Sequence, residues 1–492
     1  MSAIAGIIAI NGNSVGGSAH EIAEMLGLMQ HRGPDNTSIR TLPDGRGAIG
    51  ANELNLTSER TPCALLSRSP FVLYDGEMYN QTAKGQLDIE YFAEMYKKHG
   101  KGCFTLLEAD YVCAIIEDDE VILARDQVGS RPLFYGTEDG VLYFATEMKS
   151  LIEYIRFDIA ELPPGHTYST KDGLKPFKPY VADIPALGDM KQAAQTVRKL
   201  VIEAVEKRMK GVNGVALSGG LDSSIIAAIA KQFNPDLQLF TVTVDSAPGP
   251  DLKNAELMAK YLGLDHHIYR ITDDDIASFI PESIWYLESF DEDCISGILS
   301  NYYASRLAKE YTDAVLVGEG ADELFGGYRM VLKSPNVKSD EHRVQLAQKL
   351  LDISYNTALR RLDRGWMANG VIYETPFLDA KVVAYSQIIP MEWKIYGEKQ
   401  VEKFILREAF RDMLPEQIAN REKLRFAMGT GMDDVMDAVC SNVVKPDELK
   451  ARPNAAYGLP FATFKEIYYY DEFLRLFPPA YEKQTIRWDP FK

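Results

Sequence analysis

One eleven-residue stretch constrains this chain more than any other: "GVALSGGLDSS", residues 214–224. An apolar strand ends at Leu217, Ser218-Gly219-Gly220 makes a turn poor in side chains, and Asp222-Ser223-Ser224 opens a helix. Successive backbone N–H groups at such a turn form an anion nest, and the helix N-terminus adds positive potential. Pyrophosphate is the ligand that fits. No Lys follows the glycines, so this is not the GxxxxGK[ST] loop of ordinary P-loop nucleotidases. The competing reading is a strand-turn-helix junction whose glycines serve packing alone.

The neighbouring segments repeat the rhythm. "LQLFTVTVD" reads as strand, "LKNAELMAKYLG" as helix, "HHIYRI" as strand and, after more helices, "DAVLVGEGAD" as strand. That alternation predicts a doubly wound, mostly parallel sheet with helices on both faces. The first 180 or so residues differ: runs such as "FVLYDGEMYN", "YVCAIIEDDEVILARD", "SRPLFYG" and "GVLYFATE" alternate with Gly, Asp and Asn turns. One helical stretch, "DIEYFAEMYKKHG", interrupts them and stops at Gly100. An α+β domain built largely of antiparallel sheet is expected there. A segment rich in Pro, Ala and Gly marks a linker at 183–190, which gives domains at 1–182 and 191–492. Beyond residue 330 the sequence is mainly helical and aromatic.

At 492 residues the chain exceeds what one hydrophobic core serves, in keeping with two domains or more. The net charge of −18, from 71 acidic against 53 basic residues, argues against a nucleic-acid footprint. No apolar run reaches the roughly 20 residues that cross a bilayer. The five cysteines form no CxxC pair, and with no signal peptide a cytoplasmic location is expected. Asn55-Leu-Thr57 is a chance sequon.

A second chemical stretch, "VGEGADELFGGY", spans residues 317–328. Its glycines let backbone approach a ligand, and Glu319, Asp322 and Glu323 gather carboxylates at the C-terminal edge of the expected sheet, where open α/β sheets bind ligands. Carboxylates facing a triphosphate imply Mg²⁺ between them.

These motifs resemble the glutamine-dependent asparagine synthetase family across nearly the whole chain. "LSGGLDSSI" resembles the SGGxDS loop of ATP pyrophosphatases. "GPDLKNAE", "GEGADELFGGY", "TPFLD", "VEKFILREAF" and "LPEQIANREK" extend the likeness through the second half. "HRGPD", "DGEMYN", "ARDQVGSRPLFYG", "ATEMKSL" and "LPPGH" resemble the class II glutamine amidotransferase domain in the first. The resemblance implies an N-terminal-nucleophile fold of antiparallel sheet layers with helices, followed by a PP-loop ATP pyrophosphatase domain of the adenine nucleotide alpha hydrolase type. It implies a reaction in which a carboxylate attacks the α-phosphate of ATP, pyrophosphate leaves, and ammonia or an amine displaces AMP. By it, Leu217, Val244 and Gly318 line the adenosine site, Ser218, Gly219, Gly220, Leu221, Asp222, Ser223 and Ser224 hold pyrophosphate, and Asp222 and Asp322 bind Mg²⁺. Glu319 assists deprotonation of the incoming amine, Lys423 stabilises charge on the adenylate, and Lys403 is a phosphate contact for which an exposed helix lysine is the commoner reading. The partners implied are a small-molecule carboxylate and ammonia or an amine, without nucleic acid or membrane; a homodimer is compatible.

The chain also departs from the family. The glutaminase nucleophile of the family is a Cys directly after the initiator Met; here it is Ser2. Glu53 stands where the family carries an Arg for the glutamine carboxylate, and Asp75-Gly76-Glu77 replaces its Asn-Gly-Glu, so the oxyanion donor is gone. Asp88, resembling the residue that grips the glutamine amino group, is kept. A vestigial glutaminase is expected, with Ser2 structural. In the synthetase half, Ile372 and Glu374 occupy places where the family shows Glu and Arg; as borders of an acceptor pocket they would change the carboxylate taken, as in the relative β-lactam synthetase, and as structural residues they would not.

The leading reading is an AMP-forming amide synthetase. A conventional asparagine synthetase using ammonia or glutamine is the alternative. A PP-loop tRNA-modifying enzyme lacks the expected basic face and paired cysteines, and a non-catalytic protein fits only the first half. His266-His267 reads as packing or hydrogen bonding, and His31 as ordering a turn near the glutamine pocket.

Overall fold

Residues 2–9 are buried along their whole length because both faces of their strand are covered. In the computed structural model, which describes the chain except Met1 and residues 11–13, 16, 55–64, 67–69, 81–85, 157, 179–183, 424–428 and 488–492, Ser2–Ala9 is an inner strand of a six-stranded sheet. The sequon at Asn55 and Cys63 lie outside the described residues. Ser2–Ala9 pairs antiparallel with Gly47–Glu53 on one side and Val141–Ala145 on the other. Ile4 and Ile8 join Ile49, Leu73, Val112 and Leu123 in the core between this sheet and a second six-stranded antiparallel sheet. Gly6 has no Cβ because the ring of Phe144 would lie 2.2 Å from it. Ala3, Ala5 and Ile7 face the opposite way, against Ile22, Met25 and Leu26.

Those last residues belong to a helix, Ser18–Leu28, that corrects the expectation of a single helical stretch in this domain. Its apolar spacing of three and four residues is short and lacks a side-chain cap, so the sequence signal is weak. The expected helix, Asp88–His99, ends at Gly100 with a φ of 56° and covers the outer face of the second sheet through Ile89 and Phe92. Helix, sheet, sheet and helix therefore stack as four layers.

The second half is built on a five-stranded parallel sheet in the spatial order His266–Ile271, Gln238–Val244, Gly214–Ala216, Ala314–Leu316, Ile372–Glu374. Strand order reverses beside Gly214–Ala216, and a crevice opens at such a point outside the C-terminal strand ends. His266 and His267 hydrogen-bond Thr241 and Gln238 at 2.7 and 2.8 Å, as expected. The four described free cysteines are buried. Among the described residues, no helix is long and apolar enough to cross a membrane.

The two halves meet across a buried charge network. Arg32 forms two hydrogen bonds to Asp363, at 2.7 and 2.9 Å, and one to Glu147 at 3.2 Å; Arg364 spans Glu147 and Glu288 at 2.9 and 2.8 Å. Lys149 pairs with Glu147 at 2.5 Å. His31, within the Gln30–Arg32 turn, also joins Glu147, at 3.2 Å, and packs edge-on against Trp285 and Tyr286, so it takes part in this junction.

Candidate active site

The loop after Gly214–Ala216 is shaped by glycine and serine together. Leu217 is still tied to the neighbouring strand, its N–H to the Phe240 carbonyl at 2.8 Å and its carbonyl to the Thr241 hydroxyl at 2.5 Å. The chain then turns at Gly219, whose φ of 74° and close approach to the Asp251 carbonyl, 2.4 Å from where a Cβ would stand, admit no side chain. The Ser223 hydroxyl accepts the Ser218 N–H at 3.1 Å, and the Ser218 hydroxyl accepts the Gly220 N–H at 3.2 Å. Gly220 caps the Leu221–Ala230 helix without any side chain over its N-terminus, which leaves the first turn facing the cleft as an anion nest requires.

Adjacent strand ends complete the cleft. Val317 donates to the Glu374 carbonyl at 2.9 Å, and Gly318 packs where a Cβ would lie 2.8 Å from the Ser223 nitrogen, so the two motifs touch backbone to backbone. Gly320, at φ 96°, starts the short Ala321–Phe325 helix that carries Asp322 and Glu323. Val244 is buried at the end of its own strand.

Lys403 overturns the exposed-helix reading. It is 1% exposed, sits at φ 53° just before the Phe404–Phe410 helix, and places its ammonium 2.5 Å from Asp222 and 2.6 Å from Asp322. Lys423 reaches the other oxygen of Asp322 and lies 5.8 Å above the Tyr328 ring. Burial alone would push the Asp322 carboxyl up, but Lys403 and Lys423 hold it well below its usual value; burial likewise opposes charge on Lys423, and Asp322 and Asp222 raise it nonetheless. Gly327 makes room for this knot, since a Cβ there would stand 1.8 Å from Asp322 and 2.4 Å from Lys403.

Glu319 lies farther along the cleft, 3.4 Å from Arg361, whose other nitrogen pairs with Asp293. Its carboxyl is raised by burial first and then by Asp322, against the pull of Arg361 and Lys423. Glu323, buried and hydrogen-bonded by the Tyr328 hydroxyl at 2.6 Å, is pushed up to about 7 by burial and by Glu319 and Asp322.

Sequence reading missed Arg361, Arg407, Arg421 and Asp251. Arg421 stands two residues before Lys423 in "NREK" and Asp251 lies in "GPDLKNAE", yet neither sequence position announces a contact with the loop. Arg421 donates to the Gly219 carbonyl and pairs with Asp251. Arg407 holds the Glu402 carboxylate at 2.7 Å, and Glu402 accepts the Lys423 N–H at 3.0 Å, setting that lysine's backbone.

Ile372 and Glu374 do not line the cleft around Lys403. Both are 1% exposed. The Glu374 carboxylate takes the Tyr79 hydroxyl at 2.7 Å and lies 3.8 Å from Arg208, within a cluster that includes Asp110. Those partners belong to the junction of the two halves, and the register that pairs Leu316 with Glu374 aims the carboxylate there.

In the first half, Ser2 pairs in register with Glu53, and both are buried. The Ser2 N–H donates to Asp75 at 2.7 Å; its carbonyl accepts from Arg32 at 3.4 Å. Glu53 accepts the Asn36 amide at 2.7 Å. Gly76 admits no Cβ, with the Asp110 carbonyl 2.2 Å from its place, and Glu77 pairs in register with Asp110. Asp88 accepts the Met78 N–H at 2.9 Å.

Residues 1–163 match the glutamine amidotransferase domain, and residues 196–352 and 335–453 match the asparagine synthase family. The chain is 31% identical over 95% of its length to asparagine synthetase [glutamine-hydrolyzing] 2 of Arabidopsis thaliana, covering 86% of that protein. It is 32% identical over 92% of its length to asparagine synthetase B [glutamine-hydrolyzing] of Escherichia coli K12, covering 88% of it. With a first half that matches the glutamine amidotransferase domain, a second half that matches asparagine synthase, and relatives 31% and 32% identical over more than nine-tenths of its length, the chain belongs to the asparagine synthetase family of ATP-dependent carbon–nitrogen ligases.

Proposed function

We propose that this protein adenylates a small carboxylate and transfers ammonia or an amine to it, without drawing nitrogen from glutamine at Ser2. The observation that carries the reading is the hydrogen bond of 2.7 Å between the Ser2 nitrogen and Asp75. An N-terminal nucleophile needs its own α-amine neutral to act as base. A carboxylate at this distance favours the charged ammonium once Met1 is removed. The same Asp offers no donor to an oxyanion, and Glu53 would repel a glutamine carboxylate.

In the synthetase cleft the phosphates of ATP lie against the first turn of Leu221–Ala230, with Lys403 and Lys423 exchanging their carboxylate partners for phosphate oxygens. The substrate carboxylate attacks the α-phosphorus and pyrophosphate leaves. Nitrogen then attacks the acyl carbon, AMP leaves, and Glu319 takes the proton from the nitrogen; its raised carboxyl suits that task. Asp222 and Asp322 fit a Mg²⁺ ion: they share one cation, and one oxygen of Asp222 is buried without a hydrogen-bond partner among the described residues. No group of three metal-binding side chains exists among the described residues, so phosphate oxygens and water would complete the shell. When bound, the ion neutralises phosphate charge.

Asparagine synthesis from aspartate remains the second reading, favoured by the relatives' printed activity. Pyrophosphate release with Mg-ATP and aspartate, run with ammonium and with glutamine and followed by product mass, tests both. Asparagine with ammonium alone supports a lost glutaminase acting on aspartate. Turnover with glutamine overturns the account of Ser2. Silence with aspartate in both arms sends the search to another carboxylate.

A further inference from the structure

The glycine turn of the phosphate loop does not hold its shape through its own residues alone. The peptide joining Gly219 to Gly220 is fixed at both ends: its N–H goes to the Ser218 hydroxyl at 3.2 Å, and its carbonyl takes a hydrogen bond from Arg421. Arg421 belongs to a segment 202 residues downstream, just past the Glu416–Asn420 helix, and its side chain is only 11% exposed. Its second terminal nitrogen is bound by Asp251, itself 12% exposed, at the start of the Asp251–Leu262 helix. Asp251 in turn is confined from the other side: a Cβ on Gly429 would stand 2.1 Å from its carboxylate, and one on Gly219 would stand 2.4 Å from its carbonyl. Gln417 adds a hydrogen bond of 2.9 Å to Asn254 on the same helix.

From this geometry we infer that Arg421 is a positioning residue, locked by Asp251 so that its guanidinium braces the Gly219 carbonyl and keeps the uncapped first turn of Leu221–Ala230 aimed at phosphate. The inference rests on reading the cleft as an ATP site. A guanidinium in contact with phosphate would be expected to stand free of a carboxylate partner or to lose it on binding; here its fork is divided between a backbone carbonyl and Asp251, and both are fixed by packing. Loss of a charge-assisted hydrogen bond of this kind lowers affinity roughly ten- to hundredfold.

The test uses the full-length protein, with calorimetric titration of Mg-ATP and of pyrophosphate beside steady-state kinetics. A brace predicts that Arg421→Gln and Asp251→Asn weaken both ligands alike and raise the KM for ATP more than they lower kcat. It also predicts that the double variant is no worse than either single one, and that Arg421→Lys recovers part of the loss. Gly429→Ala, which crowds Asp251 without altering any charge, gives a milder loss of the same kind and carries the test should Arg421→Gln fail to fold. Asp251→Asn separates the alternatives by sign. If Arg421 contacts phosphate directly, freeing it from Asp251 leaves binding unchanged or tighter, and the inference falls. Wild-type protein that binds neither Mg-ATP nor pyrophosphate would instead sink the proposed function. Wild-type binding with an unaffected Arg421→Gln overturns the brace alone.

Discussion

In the proposed reaction Lys403 and Glu319 divide the work between charge and proton transfer, and single substitutions separate the two. Lys403→Ala leaves Asp222 and Asp322 facing each other without their shared cation. ATP–pyrophosphate exchange should fall on the order of 10²-fold or more, as for loss of one preorganised electrostatic contact. Glu319→Gln should spare that exchange and slow amide formation by roughly 10²–10⁴-fold, measured as AMP and product release in single turnovers. At this scale the acidic motif was legible because Gly, Asp and Glu at a strand end have few structural uses together. Lys403 was not, because its role depends on a left-handed backbone position that sets the side chain between two distant carboxylates. Nothing in "VEKF" announces that geometry.

Among elements, the Ser218–Ser224 loop and the acidic turn meet in one backbone-to-backbone contact, with glycines as the means of approach. Gly327→Ala places a methyl against Asp322 and Lys403 and should abolish nucleotide binding by calorimetry while the protein remains folded by circular dichroism. The parallel sheet was readable from the alternation of strands and helices, with its inner strands Gly214–Ala216 and Ala314–Leu316 as short apolar runs. The Ser18–Leu28 helix was not, because eleven residues next to glycines carry little intrinsic signal and are held by the sheet beneath them. The surroundings of Ile372 and Glu374 were not legible either, because the partners that hold Glu374, Tyr79 and Arg208, lie far away in sequence and meet it only once the strand is paired with Ala314–Leu316.

For the whole molecule, the junction between the halves concentrates buried charge. Arg32→Ala would take from Asp363 its two-pronged partner, leaving it Arg364 at 3.3 Å and the Tyr373 hydroxyl at 3.1 Å, and should cost roughly 3 kcal/mol in chemical denaturation, at the low end for buried pairs broken on one side. Burial works to raise the Asp363 and Glu147 carboxyls, yet Arg32 for the first and Lys149 and Arg364 for the second hold both below their usual values. A depressed carboxyl stabilises the fold above its unfolded pKa of about 4, and that stability is lost as pH falls through the folded value. The junction should therefore open in acid, and Arg32→Ala should flatten that dependence in a denaturation series from pH 6 down to pH 3. Ser2→Ala should leave ammonium-supported turnover unaltered, and Ser2→Cys alone should not create glutamine-supported turnover while Asp75 and Glu53 remain. Whatever becomes of glutamine there, the strand that begins at Ser2 offers its first carbonyl to Arg32, the residue that clasps Asp363 across the junction. The amino-terminal half is thus a permanent mould for its neighbour: a gene cut down to residues 191–492 should yield aggregates, and co-production of residues 1–182 should return them to solution.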